Sequence, residues 1–197
     1  PPILLARHYG PDVAGLFALA QKVVEAPVRL IGQSVAQVYF AEAAAVARED
    51  AARLPRMFFG AARKLFIVGS IPVLIGGLAS PWLFDAVFGA SWRDAGTVAR
   101  ALSWYVAARF VAYPLSHTLN IVGRQELQMG GDLLRFSAVP GTIPIGARAG
   151  WAAGQTIQVF ALAMAAAYLI LFLLGAREVG RISRGRSKAS GAQVPTQ

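Results

Sequence analysis

Long apolar stretches separated by short polar turns organise this chain. The pattern predicts membrane spans over residues 14–46, 60–86, 94–122, 126–147 and 150–176. At a rise of about 1.5 Å per residue, each stretch is long enough to cross a hydrocarbon core of about 30 Å. The opening residues, PPILLA, have the pattern of a helix end, and Gly10-Pro11-Asp12 marks a turn. The sequence therefore predicts an all-α, polytopic membrane helix bundle with about five full spans and a helix remnant.

The first span carries a polar stripe. Its members fall within an arc of roughly 120 degrees on an ideal helix, and they are Lys22, Glu25, Arg29, Gln33 and Gln37. A charged side chain at mid-bilayer costs about 2.5–3.5 kcal/mol, so such a stripe is expected to face protein or a water-filled cavity. Two interpretations stay open: the cations contact a bound anion, or Glu25 pairs with Lys22 and Arg29 on its own helix.

A second polar stripe lies on the span over residues 94–122. Its members fall within an arc of roughly 80 degrees, and they are Tyr105, Arg109, Tyr113, Ser116 and Asn120. Since no acidic residue shares this face, Arg109 either lines a cavity or pairs with Glu25 or Asp132 of another helix. At the start of the span, Ser91 and Asp94 have the spacing of a capping box.

The span over residues 126–147 is the least regular of the five. Glycine and proline interrupt it at Gly130, Gly131, Pro140, Gly141 and Pro144. Because these residues weaken or kink helices, a broken or partly unwound segment is expected there. Asp132 and Arg135, three residues apart on one face, predict a local ion pair.

Composition agrees with a membrane protein and excludes several kinds of chemistry. Of the 197 residues, 56% are hydrophobic and 15% are charged, and the mean hydropathy is +0.51. These values are too apolar for an ordinary soluble domain. The chain contains no cysteine, so disulfides and thiolate sites are excluded. His8 and His117 have no second ligand at metal spacing. We therefore expect no metal and no cofactor.

The net charge of +9 follows the membrane topology and does not indicate a nucleic-acid partner. The outer loops hold Arg7, Arg93 and Arg148. If the C-terminus is cytoplasmic, the inner loops hold eleven basic residues, which are Arg48, Arg53, Arg56, Arg63, Lys64, Arg124, Arg177, Arg181, Arg184, Arg186 and Lys188. This asymmetry predicts a cytoplasmic C-terminus with a basic, disordered tail over residues 181–197. The amphipathic segment 47–64 either binds anionic membrane lipids or simply connects two spans.

Two stretches of the sequence carry a family resemblance. They read YGPDVAGLFALAQKVVEAPVRLIGQSVAQVYFAEAA and SPWLFDAVFGASWRDAGTVARALSWYVAARFVAYPLSHTLNIVGRQE. Over residues 1–125 the chain resembles the C-terminal half of polysaccharide biosynthesis and O-antigen flippase-like proteins. That family lies within the multidrug/oligosaccharidyl-lipid/polysaccharide (MOP) transporter superfamily.

The resemblance implies a fold, an activity and a set of partners. Residues 1–180 would form the C-terminal lobe of a two-lobed MATE-like transporter, whose N-terminal lobe would precede Pro1 in a longer chain. Such proteins move a polyprenyl-diphosphate-linked oligosaccharide across the bacterial inner membrane by alternating access, without covalent chemistry. The glycan is a precursor of O-antigen or exopolysaccharide. The expected partners are the lipid-linked oligosaccharide, membrane lipids and the missing N-terminal lobe.

The two polar stripes supply the candidate substrate-binding residues, which are Lys22, Glu25, Arg29, Gln33, Gln37, Tyr105, Arg109 and Tyr113. Arginine suits bidentate phosphate contacts, so the cations would meet the diphosphate, whereas the amides would meet sugars or neighbouring helices. Three other functions stay open: a cation-coupled MATE-type efflux transporter, a membrane glycan polymerase or ligase, and a non-functional truncated remnant. The first needs a titratable intramembrane acid, and the second needs a large outer loop with a reactive group.

Overall fold

A computed structural model describes the backbone of residues 1–191 and the side chains of residues 1–182. This part of the chain is helical throughout, with short connections and no strand. The α-helices are α1 (Pro2–Tyr9), α2 (Pro11–Glu49), α3 (Leu54–Leu65), α4 (Ile71–Phe88), α5 (Arg93–Ile121), α6 (Gln125–Arg148) and α7 (Ala153–Gly191). The prediction of an all-α chain is confirmed.

Helix α5 is the centre of the bundle, because α2, α4 and α7 all pack against it. Two hydrophobic clusters meet along its length. The first holds Phe17 of α2, Leu102 of α5 and Phe160 of α7, and the second holds Phe58 of α3 and Leu115 of α5. Polar residues of α2 and α5 lie where the two clusters adjoin, so the polar site described below sits between two apolar layers.

Small residues bring α4 and α5 into close contact. A methyl group at Gly96 of α5 would lie 2.5 Å from the Cα of Pro81, so no larger residue fits there. The Ser80 hydroxyl lies 2.7 Å from the carbonyl oxygen of Gly96, and the Ser70 hydroxyl donates to the carbonyl oxygen of Ala107 at 3.2 Å. Close backbone approach with serine hydrogen bonds between helices is typical of packing in membranes.

Helices α3 and α4 form one rod, joined by a π-helical turn over Phe66–Ser70. In α3 the buried positions Leu54, Phe58, Ala62 and Leu65 recur at helical spacing, and the basic residues of the helix are exposed. The ring of Phe58 stacks on Phe172 of α7 at a centroid distance of 5.6 Å. The amphipathic pattern predicted for segment 47–64 is thus present in α3, and the apolar helix α4 follows it.

Two helical segments are long and apolar enough to cross a membrane by length and composition, Ala51–Phe88 and Ala153–Ile182. In the most apolar window of each, 28% and 33% of the residues are buried, so most of their apolar surface faces outward. These segments include the predicted span 60–86 and all but the first three residues of the predicted span 150–176. Helices cover the other three predicted spans, but their crossing of a membrane stays a prediction.

Two local expectations are wrong. Residues 126–147 are neither broken nor unwound: α6 runs continuously from Gln125 to Arg148, with Pro140 and Pro144 inside it. The capping box is absent as well, since Trp92 occupies the N-cap of α5 and a 3₁₀ turn, Ala90–Trp92, precedes the helix. The predicted tail begins inside α7, and residues 192–197 lie outside the described part of the chain.

Candidate functional site

Glu25 of α2 is the centre of a polar cluster between α2 and α5. Its Oε2 atom accepts a hydrogen bond from Nη1 of Arg109 at 3.0 Å, which also makes an ion pair. Its Oε1 atom accepts from the Tyr105 hydroxyl and, at 2.9 Å, from Nε2 of Gln21. The Glu25 and Arg109 side chains are 18% and 29% exposed, so this pair is largely removed from solvent. The carboxylate therefore connects the two helices at the level of both polar stripes.

This pairing decides between the two interpretations of Glu25. The local cluster with Lys22 and Arg29 is not formed, because neither cation makes an ion pair with any residue whose side chain is described. The carboxylate is instead satisfied from α5, where a guanidinium and a phenol reach it together. For Arg109, the partner on another helix is Glu25 and not Asp132.

Beside the ion pair lies a cleft of about 80 Å³ between α2 and α5. Its polar wall is made by Glu25, Arg29 and Gln33 from α2 and by Arg109 and Tyr113 from α5. These residues face one another because each helix places its polar side chains three or four residues apart, on one face. Two positive charges and one negative charge leave the cleft with a net charge of +1, and Arg29 supplies the unpaired guanidinium.

A wider groove of about 900 Å³ continues from the cleft along the same two helices. Gln33 and Tyr113 line both spaces, so the two are adjoining. The walls add amides and aromatic rings, which are Gln37, Phe40, His117, Asn120 and Gln125. The whole surface, cleft and groove together, is called the polar groove below.

An aromatic cluster forms one wall of the polar groove. The His117 ring lies 5.5 Å from that of Tyr113 and 5.9 Å from that of Phe40, both in edge-to-face geometry. The sequence interpretation considered His117 only as a metal ligand and therefore missed its place here. The available signal was spacing, because His117 follows Tyr113 by four residues and so extends the stripe of α5.

The structure brings most of the predicted site residues together. Those that line the polar groove are Glu25, Arg29, Gln33, Gln37, Arg109 and Tyr113. Tyr105 lies behind them, buried, and donates to Glu25. Lys22 is exposed and lines neither space, so the structure does not place it with the others. Ser116 is also turned inward, where its hydroxyl donates to the carbonyl oxygen of Tyr113.

The predicted local pair on α6 is confirmed. Arg135 forms an ion pair with Asp132 on the same helix, and its guanidinium lies 4.8 Å from the ring centroid of Tyr168 on α7. A cation over an aromatic ring adds attraction between the two helices. These residues therefore join α6 to α7 and take no part in the polar groove.

The fold and the site define a class of protein. Residues 1–191 are all-helical, with two helical segments long and apolar enough to cross a membrane and a charged groove between α2 and α5. Residues 1–97 match the family model described as polysaccharide biosynthesis protein. The match includes Glu25 and Arg29 but ends before Arg109. No curated protein and no solved structure matches the chain. Family and apolar helices together indicate a membrane protein of polysaccharide synthesis or transport.

Proposed function

We propose that the chain is the C-terminal lobe of a flippase that moves a polyprenyl-diphosphate-linked oligosaccharide across the bacterial inner membrane. The observation that carries the proposal is the polar groove, where the guanidinium of Arg29, which has no ion pair within the described side chains, and a row of exposed amides lie along one face of an otherwise apolar helix bundle. The family match over residues 1–97 supplies the link to polysaccharide biosynthesis. A charged, sugar-bearing head group crosses hydrocarbon only if a polar surface replaces its water.

In this proposal one part of the polar groove binds the diphosphate and the other part binds the sugars. Arg29 and Arg109 contact the diphosphate, since guanidinium groups form charge-assisted, bidentate hydrogen bonds with phosphate oxygens. Gln33, Gln37 and Tyr113 contact the sugars, for which amides and a phenol supply both donors and acceptors. Glu25 orients Arg109 and lowers the net positive charge, so that the anion is held weakly enough to leave.

The remaining elements of the proposal concern the whole transporter. An N-terminal lobe encoded upstream of Pro1 would form the facing wall, and the two lobes would expose the groove alternately to each side of the membrane. The C-terminus would be cytoplasmic, as the distribution of basic residues in the loops predicts. No covalent step is involved.

The geometry of Glu25 favours this function over cation-coupled efflux. Coupling to a proton or sodium ion needs a carboxylate that is free to exchange partners, whereas Glu25 has an ion pair with Arg109 and two further donors. A membrane glycan polymerase or ligase would need a large outer loop, and the connections from α4 to α7 are short turns. Transport of the intact lipid-linked glycan fits these features better.

The test replaces Arg29 by Ala in the complete protein, in a strain whose surface polysaccharide depends on it. Arg29 has no ion pair within the described side chains, so its removal leaves the Glu25–Arg109 link intact. Loss of a charge-assisted contact of about 1.5–3 kcal/mol should lower surface polysaccharide at least about tenfold. Quantitative immunoblotting of the polysaccharide measures the effect, and the amount of protein in the membrane fraction checks insertion.

Lys22→Ala is the matched control, because Lys22 is a cation of the same helix outside the polar groove. This variant should retain surface polysaccharide near the wild-type amount. Normal polysaccharide in the Arg29→Ala strain, with normal insertion, would refute the assignment of the groove to the diphosphate.

A further inference from the structure

A second, apolar groove lies on the opposite side of α2 from the polar groove. Residues of α2 and of the α3–α4 rod form its walls, and Phe110 of α5 lies between them. The part beside α4 has a volume of about 540 Å³ and the part beside α3 about 680 Å³. Ile31, Val68 and Phe110 line both parts, so they form one continuous channel along the rod. It is called the apolar groove below.

The walls of the apolar groove suit a hydrocarbon chain. Beside α4 they consist of aliphatic and aromatic side chains with glycine and proline, and Ser80 is the polar side chain among the described lining residues. From Val68 to Phe88 the rod runs for about 30 Å, which is the thickness of a hydrocarbon core. Val68 is 71% exposed, so the groove is open along its side and is not a closed cavity.

Two glycines keep the apolar groove open. At Gly60 of α3 and Gly76 of α4, a methyl group would meet no atom within 4 Å. By contrast, the ring of Phe110 occupies the space where a side chain of Gly69 would lie, and this ring forms the floor of the apolar groove. Phe110 and Val28 also border the cleft on the other side, so they separate the polar groove from the apolar groove.

One end of the apolar groove is basic. Arg56 and Lys64 of α3 line it, about 12 Å apart along the helix. Neither cation forms an ion pair with a residue of the described part of the chain, and both are exposed. Glu42 of α2 lies on the opposite rim, which leaves this end with a net charge of +1. An apolar channel with unpaired cations at its mouth is complementary to a molecule with a hydrocarbon chain and an anionic head.

We propose that the apolar groove binds an anionic phospholipid, with one acyl chain along α4 and the phosphate between Arg56 and Lys64. Basic side chains of an interfacial helix attract anionic head groups, and their aliphatic stems cover the adjoining hydrocarbon. This site goes beyond the proposed function and does not depend on it, since it uses neither Arg29 nor any amide of the polar groove. If the site is occupied, the amount of anionic lipid in the membrane influences the packing of α3 and α4 against α2.

The experiment counts lipids bound to the full chain by native mass spectrometry after release from detergent micelles. The probes are phosphatidylglycerol, which is anionic, and phosphatidylcholine, which has no net charge. In the variant Arg56→Gln/Lys64→Gln, the ratio of phosphatidylglycerol-bound to bare chain should fall about tenfold, with phosphatidylcholine binding unchanged. The control variant Arg48→Gln/Arg63→Gln removes the same charge from residues outside the apolar groove and should change the ratio less than twofold.

A second pair of variants tests the hydrocarbon part of the site. Gly60→Phe/Gly76→Phe fills the apolar groove from positions where a side chain meets open space, so the fold should be retained. Binding of both lipids should then decrease. Gly130→Phe, at a glycine of α6 that also has open space around it, should leave both unchanged. Circular dichroism verifies the helix content of each variant.

Three outcomes would overturn the proposal. One is equal phosphatidylglycerol binding by the wild type and Arg56→Gln/Lys64→Gln. Another is an equal loss in the Arg48→Gln/Arg63→Gln control, which would show a general effect of charge. The third is a dimer mass that disappears in Gly60→Phe/Gly76→Phe while the lipid count stays, because the occupant would then be a second copy of the chain.

Discussion

Helix α5 holds its two neighbours in opposite ways. Toward α4 it presents glycine and serine, and the backbones approach so closely that Gly96 contacts Pro81 directly. Toward α2 it presents Tyr105, Arg109 and Tyr113, and polar space remains between the helices. The comparison therefore separates a helix pair with direct backbone contact, α4–α5, from a helix pair with polar space between its side chains, α2–α5.

The largest effect should follow from disturbing the close contact between α4 and α5. Gly96→Ala places a methyl group against the backbone of Pro81 and Ser80, which cannot rotate away. Overpacking of this kind should lower the free energy of unfolding by about 3 kcal/mol. The midpoint of SDS-induced unfolding, followed by circular dichroism, measures the loss.

Gly76→Ala is the control for this prediction. Gly76 is also a helical glycine, but its methyl group would meet no atom within 4 Å. Since alanine favours helix over glycine, stability should stay the same or rise by up to about 1 kcal/mol. Equal destabilisation by the two substitutions would contradict the tight α4–α5 contact.

An intermediate effect is expected at the charged pair of the α2–α5 face. Glu25→Gln and Arg109→Gln each leave a partly buried charge without its partner, which should cost about 2 kcal/mol in either variant. The double variant should be more stable than the sum of the two losses predicts, because its amides are both neutral and can pair with each other. A double-mutant cycle of unfolding free energies measures the coupling, and additive losses would show that the two residues do not interact.

The smallest effect should come from the neutral contact on the same face. The Tyr39 hydroxyl lies 2.6 Å from the Thr118 hydroxyl, and both residues are buried. Tyr39→Phe removes this hydrogen bond, and since threonine can bond its own helix backbone, the loss should be about 0.6 kcal/mol. Tyr113→Phe is the reference, because the Tyr113 hydroxyl makes no hydrogen bond within the described residues. A larger loss of unfolding free energy in Tyr113→Phe than in Tyr39→Phe would contradict the assignment of the hydrogen bond to Tyr39.

Helical periodicity was sufficient to predict which residues share a face. It placed Glu25, Arg29 and Gln33 on one stripe and Arg109 and Tyr113 on another, and the structure brings the two stripes together. Periodicity also identified Lys22 as a member, but Lys22 lines neither the cleft nor the wider groove. An arc computed for an ideal helix is broader than the strip that one neighbouring helix covers. The Gly10-Pro11 turn was recognisable from the residue types alone. In the structure Gly10 adopts a positive φ of 94°, a conformation that favours glycine.

What the sequence did not predict depends on contacts between helices. Glu25 pairs with Arg109, and not with a cation of its own helix, because Tyr105 and Arg109 of α5 reach the carboxylate together. The spacing of residues along α2 holds no information about that contact. Similarly, the glycines and prolines of α6 favoured a break. In the structure, Gly131 packs against Leu171 and Gly146 against Thr156. Because these glycines have no side chain, α6 lies close to α7 without a break.

The π-helical turn Phe66–Ser70 has a consequence for how this chain can vary. Its defining bond joins the Ile71 amide to the Phe66 carbonyl, five residues back, so the turn amounts to a one-residue insertion in a helix. One residue rotates everything beyond it by about 100 degrees. Deleting a single residue there would preserve the composition and hydropathy of the segment, yet it would turn Gly77 and Ser80 away from α5. In this rod, the number of residues within one turn sets which face the whole of α4 presents to α5.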